Sequence, residues 1–228
     1  MKTLINKKIL KPILFACVFV LTFSSCKKIE PEVIVEGEAK IRVVNTVFGS
    51  NPQDIFQNST KLNTTAIAFG ENTSYLTVKS GVSTTIALKN ANSDVVTSSA
   101  VVALQNNSSF TIFYYTNPSG EGRINGLPDD NTVPANGKSR VRFINFGAAL
   151  GNSVNISLAN GTAIVNGLTY EYASSYKDVD AGISLNVSVI GGETKVIPGT
   201  EFQSGKIYTV WLDAVNSTTL NYHMVVQN

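Results

Sequence analysis

Three observations predict an all-β chain. From residue 38 onward, short runs of alternating apolar and polar residues are broken about every ten residues by clusters of Asn, Gly, Ser and Pro, the pattern of strands joined by tight turns. No stretch keeps a helical period for three turns. Three separate blocks also recur at a near-constant offset. Ile41-Arg42-Val43-Val44-Asn45 aligns with Val141-Arg142-Phe143-Ile144-Asn145, Tyr75-x-x-Val78-x-x-Gly81 with Tyr176-x-x-Val179-x-x-Gly182, and Phe110-Thr111-Ile112 with Tyr208-Thr209-Val210, at offsets of 100, 101 and 98. A repeating unit of about 100 residues is the size of one β-sandwich. The expected fold is therefore two tandem immunoglobulin-like or transthyretin-like antiparallel β-sandwiches after a signal peptide.

The chain opens on Lys2, Lys7, Lys8 and Lys11 with no acid among them. Residues 13–23 then run apolar except for Thr22, and Ser24 and Ser25 follow. Basic, apolar, small is the order of a secretory signal, and the apolar run is shorter than the about 20 residues that cross a bilayer core. Phe23-Ser24-Ser25-Cys26 resembles the lipobox of Gram-negative lipoproteins, with Phe23 where Leu is usual and Ser25 where Gly or Ala is usual. That resemblance implies cleavage before Cys26 and a lipid on its thiol. Cys17 leaves with residues 1–25, so Cys26 has no disulfide partner in an oxidising compartment. Acyl chains contribute about 0.8 kcal/mol per buried methylene. The expected address is the outer membrane of the cell envelope, lipid-anchored, with the periplasmic or surface face left open.

Residues 26–38, with Pro31 and Gly37, read as a tether. The first sandwich is expected over 39–127, a linker over 128–138 and the second sandwich over 139–228. Strands are expected at 40–46, 65–69, 75–78, 82–88, 95–104 and 109–115, then at 139–146, 153–158, 174–179, 183–190, 206–214 and 220–226. Loss of residues 1–25 takes four lysines and no acid, so 18 basic and 16 acidic residues become 14 and 16, a net charge of −2. No basic footprint for nucleic acid is left.

Little chemistry is legible. His223 is the only histidine, which leaves no multi-histidine zinc site and no evident base for a hydroxyl nucleophile. Glu171, Asp178, Asp180 and Glu201 form no recognisable pair for glycoside hydrolysis. Gly191-Gly192-Glu193-Thr194 reads as a hairpin turn rather than a phosphate loop. Asp129-Asp130-Asn131 offers oxygen ligands but lacks the spacing of a calcium loop, and reads as solvated linker. No catalytic residue, metal or cofactor is expected. Aromatic residues are the candidates for contact with a ligand: Tyr115 at a strand end, and Tyr170 and Tyr172 on one face of a short segment. Of Tyr114 and Tyr115, one should face the core, and Trp211 reads as a core plug. Arg42 and Arg142 should turn away from the core toward acids such as Asp54 or Asp178.

The Arg-Val-x-Asn opening of the first unit, Tyr-x-x-Val-x-x-Gly, a late Tyr-Thr-Val strand, and Asp129-Asp130-Asn131 before Lys138-Ser-Arg-Val-Arg142 together resemble the family called domain of unknown function 4397. The resemblance spans roughly residues 39–228 as two copies. It implies an exported, often lipid-anchored β-sandwich protein and no particular reaction. This chain departs from the family's His-Ala-Ser-Pro after the first strand, with Thr46-Val47-Phe48-Gly49-Ser50 in one unit and Phe146-Gly147-Ala148 in the other. The expected function is a lipid-anchored, non-enzymatic module for adhesion or assembly, meeting the membrane through its lipid and an envelope protein or glycan through its surface. Glycan binding through the tyrosines, and a carboxylate-dependent hydrolase, are the alternatives.

Overall fold

A computed structural model describes residues 35–228. The expected signal segment, Cys26 and most of the tether lie outside the described residues. Eight strands build the first sandwich: β1 (Gly37–Asn45), β2 (Gln53–Gln57), β3 (Thr60–Lys61), β4 (Leu76–Ser80), β5 (Ser83–Asn90), β6 (Val96–Ala103), β7 (Ser109–Thr116) and β8 (Gly122–Pro128). They form two sheets, ordered β4-β1-β7-β8 and β3-β2-β5-β6. The second sandwich is built from β9 (Lys138–Asn145), β10 (Val154–Leu158), β11 (Ala163–Leu168), β12 (Lys177–Asp180), β13 (Leu185–Val189), β14 (Thr194–Ile197), β15 (Ile207–Ala214) and β16 (Leu220–Val226). Its sheets run β12-β9-β15-β16 and β11-β10-β13-β14, the same orders shifted by eight strands. The chain is all-β and made of two sandwiches. Each departs from a wholly antiparallel arrangement at one pair, because β1 lies parallel to β7 and β9 parallel to β15.

Alternation along the strands fills the cores. Ile41 and Val43 of β1 and Ile112 and Tyr114 of β7 meet Ile55, Ile86 and Leu88 of the opposite sheet. Val141, Phe143, Val210 and Leu212 meet Ile156, Val187 and Ile197 in the second sandwich. Burying one such side chain contributes about 1.5–3 kcal/mol. Gly81, three residues after Val78 in β4 and one after its end, has φ +84° and turns the chain into β5. A β-carbon there would sit 2.2 Å from the Val35 carbonyl oxygen, which also accepts from Asn106 Nδ2 at 2.9 Å. The start of the described chain is thus held against the turns at one end of the first sandwich.

Five strands escape sequence reading: β2, β3, β8, β11 and β14. In β2, Gln53, Asp54 and Gln57 are buried beside Ile55, so no apolar alternation marks it. β8 is Gly122-Arg-Ile-Asn-Gly-Leu-Pro128, with glycine and proline where strand formers are expected. The strand expected at 65–69 is instead irregular, joined only by a bridge from Ile67 to Gln53.

The two sandwiches meet face to face. The sides of β1, β7, β9 and β15 turned away from their own cores carry Val44, Phe113, Tyr115, Ile144 and Trp211, which with Phe146 and Val225 form a third buried cluster between the sandwiches. Tyr114 and Tyr115 divide accordingly, Tyr114 into the first core and Tyr115 into this seam.

Candidate functional site

At the end of the seam where β1 and β9 begin, polar groups cross reciprocally. Arg42 stacks on Tyr75, 4.3 Å from the ring centre, and donates to the Val226 carbonyl of the second sandwich at 2.6 Å. Arg142 stacks on Tyr176 at 4.7 Å and donates to the Pro128 carbonyl of the first sandwich at 2.7 Å. Such exchange of equivalent contacts is what a twofold axis imposes, and Arg42/Arg142, Tyr75/Tyr176 and Pro128/Val226 are its paired positions. On the axis, Gln227 Nε2 donates to Asp129 Oδ1. Asp129 also accepts from Tyr75 Oη at 2.8 Å, Thr111 Oγ1 at 2.9 Å and Arg142 Nη2 at 3.1 Å. Its side chain is 0% exposed, so Asp129 is an interior ion-pair partner rather than solvated linker. Burial, followed by the Asp129 charge, pushes the Tyr75 hydroxyl far above its ordinary pKa.

The acid partners expected for the arginines are different ones. Asp54 pairs with Lys61 at 2.7 Å and Asp178 with Arg140 at 2.8 Å. Asp178 falls below the ordinary carboxylate range because the Arg140 guanidinium bonds it. Arg42 meets no carboxylate among the described residues; its partners are a carbonyl and a ring.

At the other end of the seam, where β1, β7, β9 and β15 finish, a half-open groove of about 500 Å³ lies between the sandwiches. Asn45 and Asn145, buried at the ends of β1 and β9, brace the loops that run to it. Their side chains bond the Ile67 and Leu168 carbonyls and receive the backbone N–H of Val47 and Gly147. The first sandwich contributes Thr46, Val47, Phe48, Tyr115 and Thr116; the second contributes Phe146, Ala148, Asp213, Val215 and Asn221. Phe48 is 84% exposed and held edge-on to Phe69 at 5.3 Å. Tyr115 stacks on Phe146 at 4.9 Å. Behind them, Trp211 is fully buried and stacks on His223 at 3.8 Å. His223 Nε2 lies 3.1 Å from Asp213 Oδ2.

Of the three tyrosines singled out by sequence, Tyr115 and Tyr170 come together, ring centres 6.4 Å apart. Tyr170 donates to the Thr116 carbonyl at 2.5 Å, and both hydroxyls are pushed up by burial and then by the neighbouring Glu171 carboxylate. Tyr115 is only 8% exposed and offers an edge to the groove, whereas Tyr172 stands apart at 69% exposure. Sequence reading passed over Phe48, Phe146, Asp213 and Asn221 as groove residues. Phe48 and Phe146 occupy the loop where the family's histidine motif was missing, a departure that marked the place without naming the chemistry.

The fold and seam define a double β-sandwich protein with a groove near the axis that relates its halves. The chain belongs to the family described as Domain of unknown function (DUF4397), which it matches over residues 39–156. That span runs from β1 into β10, so it includes Arg42, Asp129 and Arg142 and crosses the seam. No curated protein matches the chain. Among solved structures it is similar to the crystal structure of CBMbc (family CBM26) from Eubacterium rectale Amy13K in complex with maltoheptaose. Sequence identity is 10%, coverage is 82% of this chain and 96% of that one, and the TM-score is 0.25.

Proposed function

We propose that this protein is a lipid-anchored, non-enzymatic module of the outer membrane that holds a binding groove away from the bilayer, on two tandem copies of one sandwich unit. The observation that carries this proposal is the placement of the groove. The N-terminal chain enters beside Gly81 and Asn106, at the start of β1, and the groove lies where β1 ends. Nine residues of strand, at about 3.3 Å each, separate the two by roughly 26 Å. A lipid on Cys26 would therefore hold the entry end toward the membrane and leave Phe48 and its neighbours facing away from it. The shared strand order and the offsets near 100 residues support the two copies.

Metabolic palmitate labelling of wild type and Cys26→Ala tests the anchor; equal labelling of both overturns it. Affinity capture from detergent-solubilised envelopes tests the groove. A specific partner should be captured by wild type and lost with Phe48→Ala, while equal capture by both removes the groove from the contact.

A glycan is the second candidate partner, favoured by the Phe48 ring, which stands exposed at the groove, since flat rings pack on sugar faces. Binding on a glycan array that weakens with Phe48→Ala or Tyr172→Ala supports it, and a blank array confirmed by calorimetry removes it.

A further inference from the structure

The groove taken above as the contact site also carries a charge signature. Among the described residues, Asp213 is the one charged side chain lining it. Its Oδ2 is engaged by His223, while its Oδ1 is buried and has no hydrogen-bond partner. The Asp213 side chain as a whole is 19% exposed, so its carboxylate brings a negative charge to the groove wall. Aromatic rings share the groove: Phe48 offers most of its surface, and Tyr115 and Phe146 offer their edges. The negative face of an exposed ring attracts a cation. No lysine or arginine among the described residues lines the groove. The nearby Arg123 is bonded to Glu121, and Glu171 adds a second negative charge beside the Tyr115 hydroxyl.

From this we infer that the groove receives a primary ammonium, the side chain of a lysine carried on an extended peptide segment. Ammonium fits better than guanidinium because the Asp213 carboxylate is mostly covered and bonded to His223, which leaves no open face for a bidentate fork and suits a compact point charge. The inference rests on the groove being the contact site.

Calorimetry on the full-length, detergent-solubilised protein tests it, using acetyl-Gly-Lys-Gly amide, the matching norleucine peptide and a neutral oligosaccharide. The lysine peptide should bind at least roughly tenfold more tightly than the norleucine peptide. Asp213→Asn should erase that difference, and Phe48→Ala should weaken lysine binding. A melting curve accompanies Asp213→Asn, because His223 packs against it; Phe48 is exposed, so its variant reports on binding even if the other misfolds. Equal affinity for the two peptides, no binding of the lysine peptide, or a tenfold difference that survives Asp213→Asn each overturns the inference. Binding of the oligosaccharide alone, lost with Phe48→Ala, overturns the ammonium assignment and keeps the groove. Failure of every ligand, with envelope capture unaffected by Phe48→Ala, overturns both.

Discussion

The two ends of the seam obey the same approximate twofold but use it differently. At the entry end the paired positions match in kind: arginine with arginine, tyrosine with tyrosine, and Thr111 with Thr209, which bond Asp129 and Arg142 respectively. Two pairs differ: Pro128 against Val226, which both act through their backbone carbonyls, and the axial pair, Asp129 against Gln227. At the groove end the paired positions diverge. Tyr115 corresponds to Asp213, Thr46 to Phe146, Phe48 to Ala148 and Gly70 to Glu171. Equivalent positions that keep their chemistry hold the halves together, whereas those that lose it line the opening. A groove built from unlike walls can recognise an unlike ligand, one end apolar and the other charged, which a symmetric groove cannot.

The largest effect should come from breaking the matched end. Asp129→Ala leaves the Tyr75 and Thr111 hydroxyls and the Gln227 amide without their shared acceptor, and leaves Arg142 without a carboxylate. Removing one partner of a buried ion pair costs about 3–5 kcal/mol, to be read from denaturant midpoints. Asp129→Asn keeps the shape and copies the amide already present at Gln227, so its loss should be clearly smaller. Equal losses would mean that packing rather than charge holds this end.

A smaller effect should appear at high pH. Tyr75 and Tyr176 have folded pKa values raised above the ordinary phenol value of 10.0, chiefly by burial. A group with a raised folded pKa contributes stability that is full below its unfolded value and declines above it. Stability should therefore fall as pH rises beyond about 10, where the unfolded tyrosines ionise and the folded ones do not. Tyr75→Phe should flatten that decline and cost about 1 kcal/mol near neutrality for the lost hydrogen bond. Tyr115 and Tyr170 are also raised, so the decline should persist in part. If Tyr75→Phe leaves the alkaline slope unchanged, the groove end and not the matched end controls it.

Much of the fold was legible because a strand with one face in a core shows alternation, as β13 does, and a strand covered on both faces shows a continuous apolar run, as β7 does at Ile112–Tyr115 and β15 at Val210–Leu212. What escaped was sheet structure whose inward residues are polar or small, such as β2 and β8. The seam escaped for a related reason. Val44, Phe113, Ile144 and Trp211 lie on faces that a lone sandwich would expose, and sequence supplies no cue that a second sandwich covers them. Arg42 and Arg142 were correctly turned away from the cores, but their partners come from the other sandwich, Val226 of β16 for Arg42 and Pro128 and Asp129 at the end of β8 for Arg142. Phe48 could not be told from an ordinary loop residue until its loop was seen beside Tyr115 and Phe146.

The smallest effect concerns the one paired position where the groove end carries backbone strain. Gly70 and Glu171 donate their N–H groups to the carbonyls of Asn45 and Asn145, at 2.9 and 2.7 Å, and both adopt positive φ, +82° and +67°. Glycine takes that conformation freely, while a residue with a β-carbon loses about 1–2 kcal/mol there. Glu171→Gly relieves this strain but gives the unfolded chain more freedom to lose, worth about 0.4–1 kcal/mol in the opposite sense. The expected net is a gain of no more than about 1 kcal/mol, seen as a higher denaturant midpoint at unchanged slope. The same variant removes the carboxylate that raises Tyr115 and Tyr170, so their ionisation should begin at lower pH. A clear loss of stability would show that the carboxylate's contact with the two hydroxyls outweighs the strain, and that this end of the seam is held by its divergent residues as firmly as the other is by its matched ones.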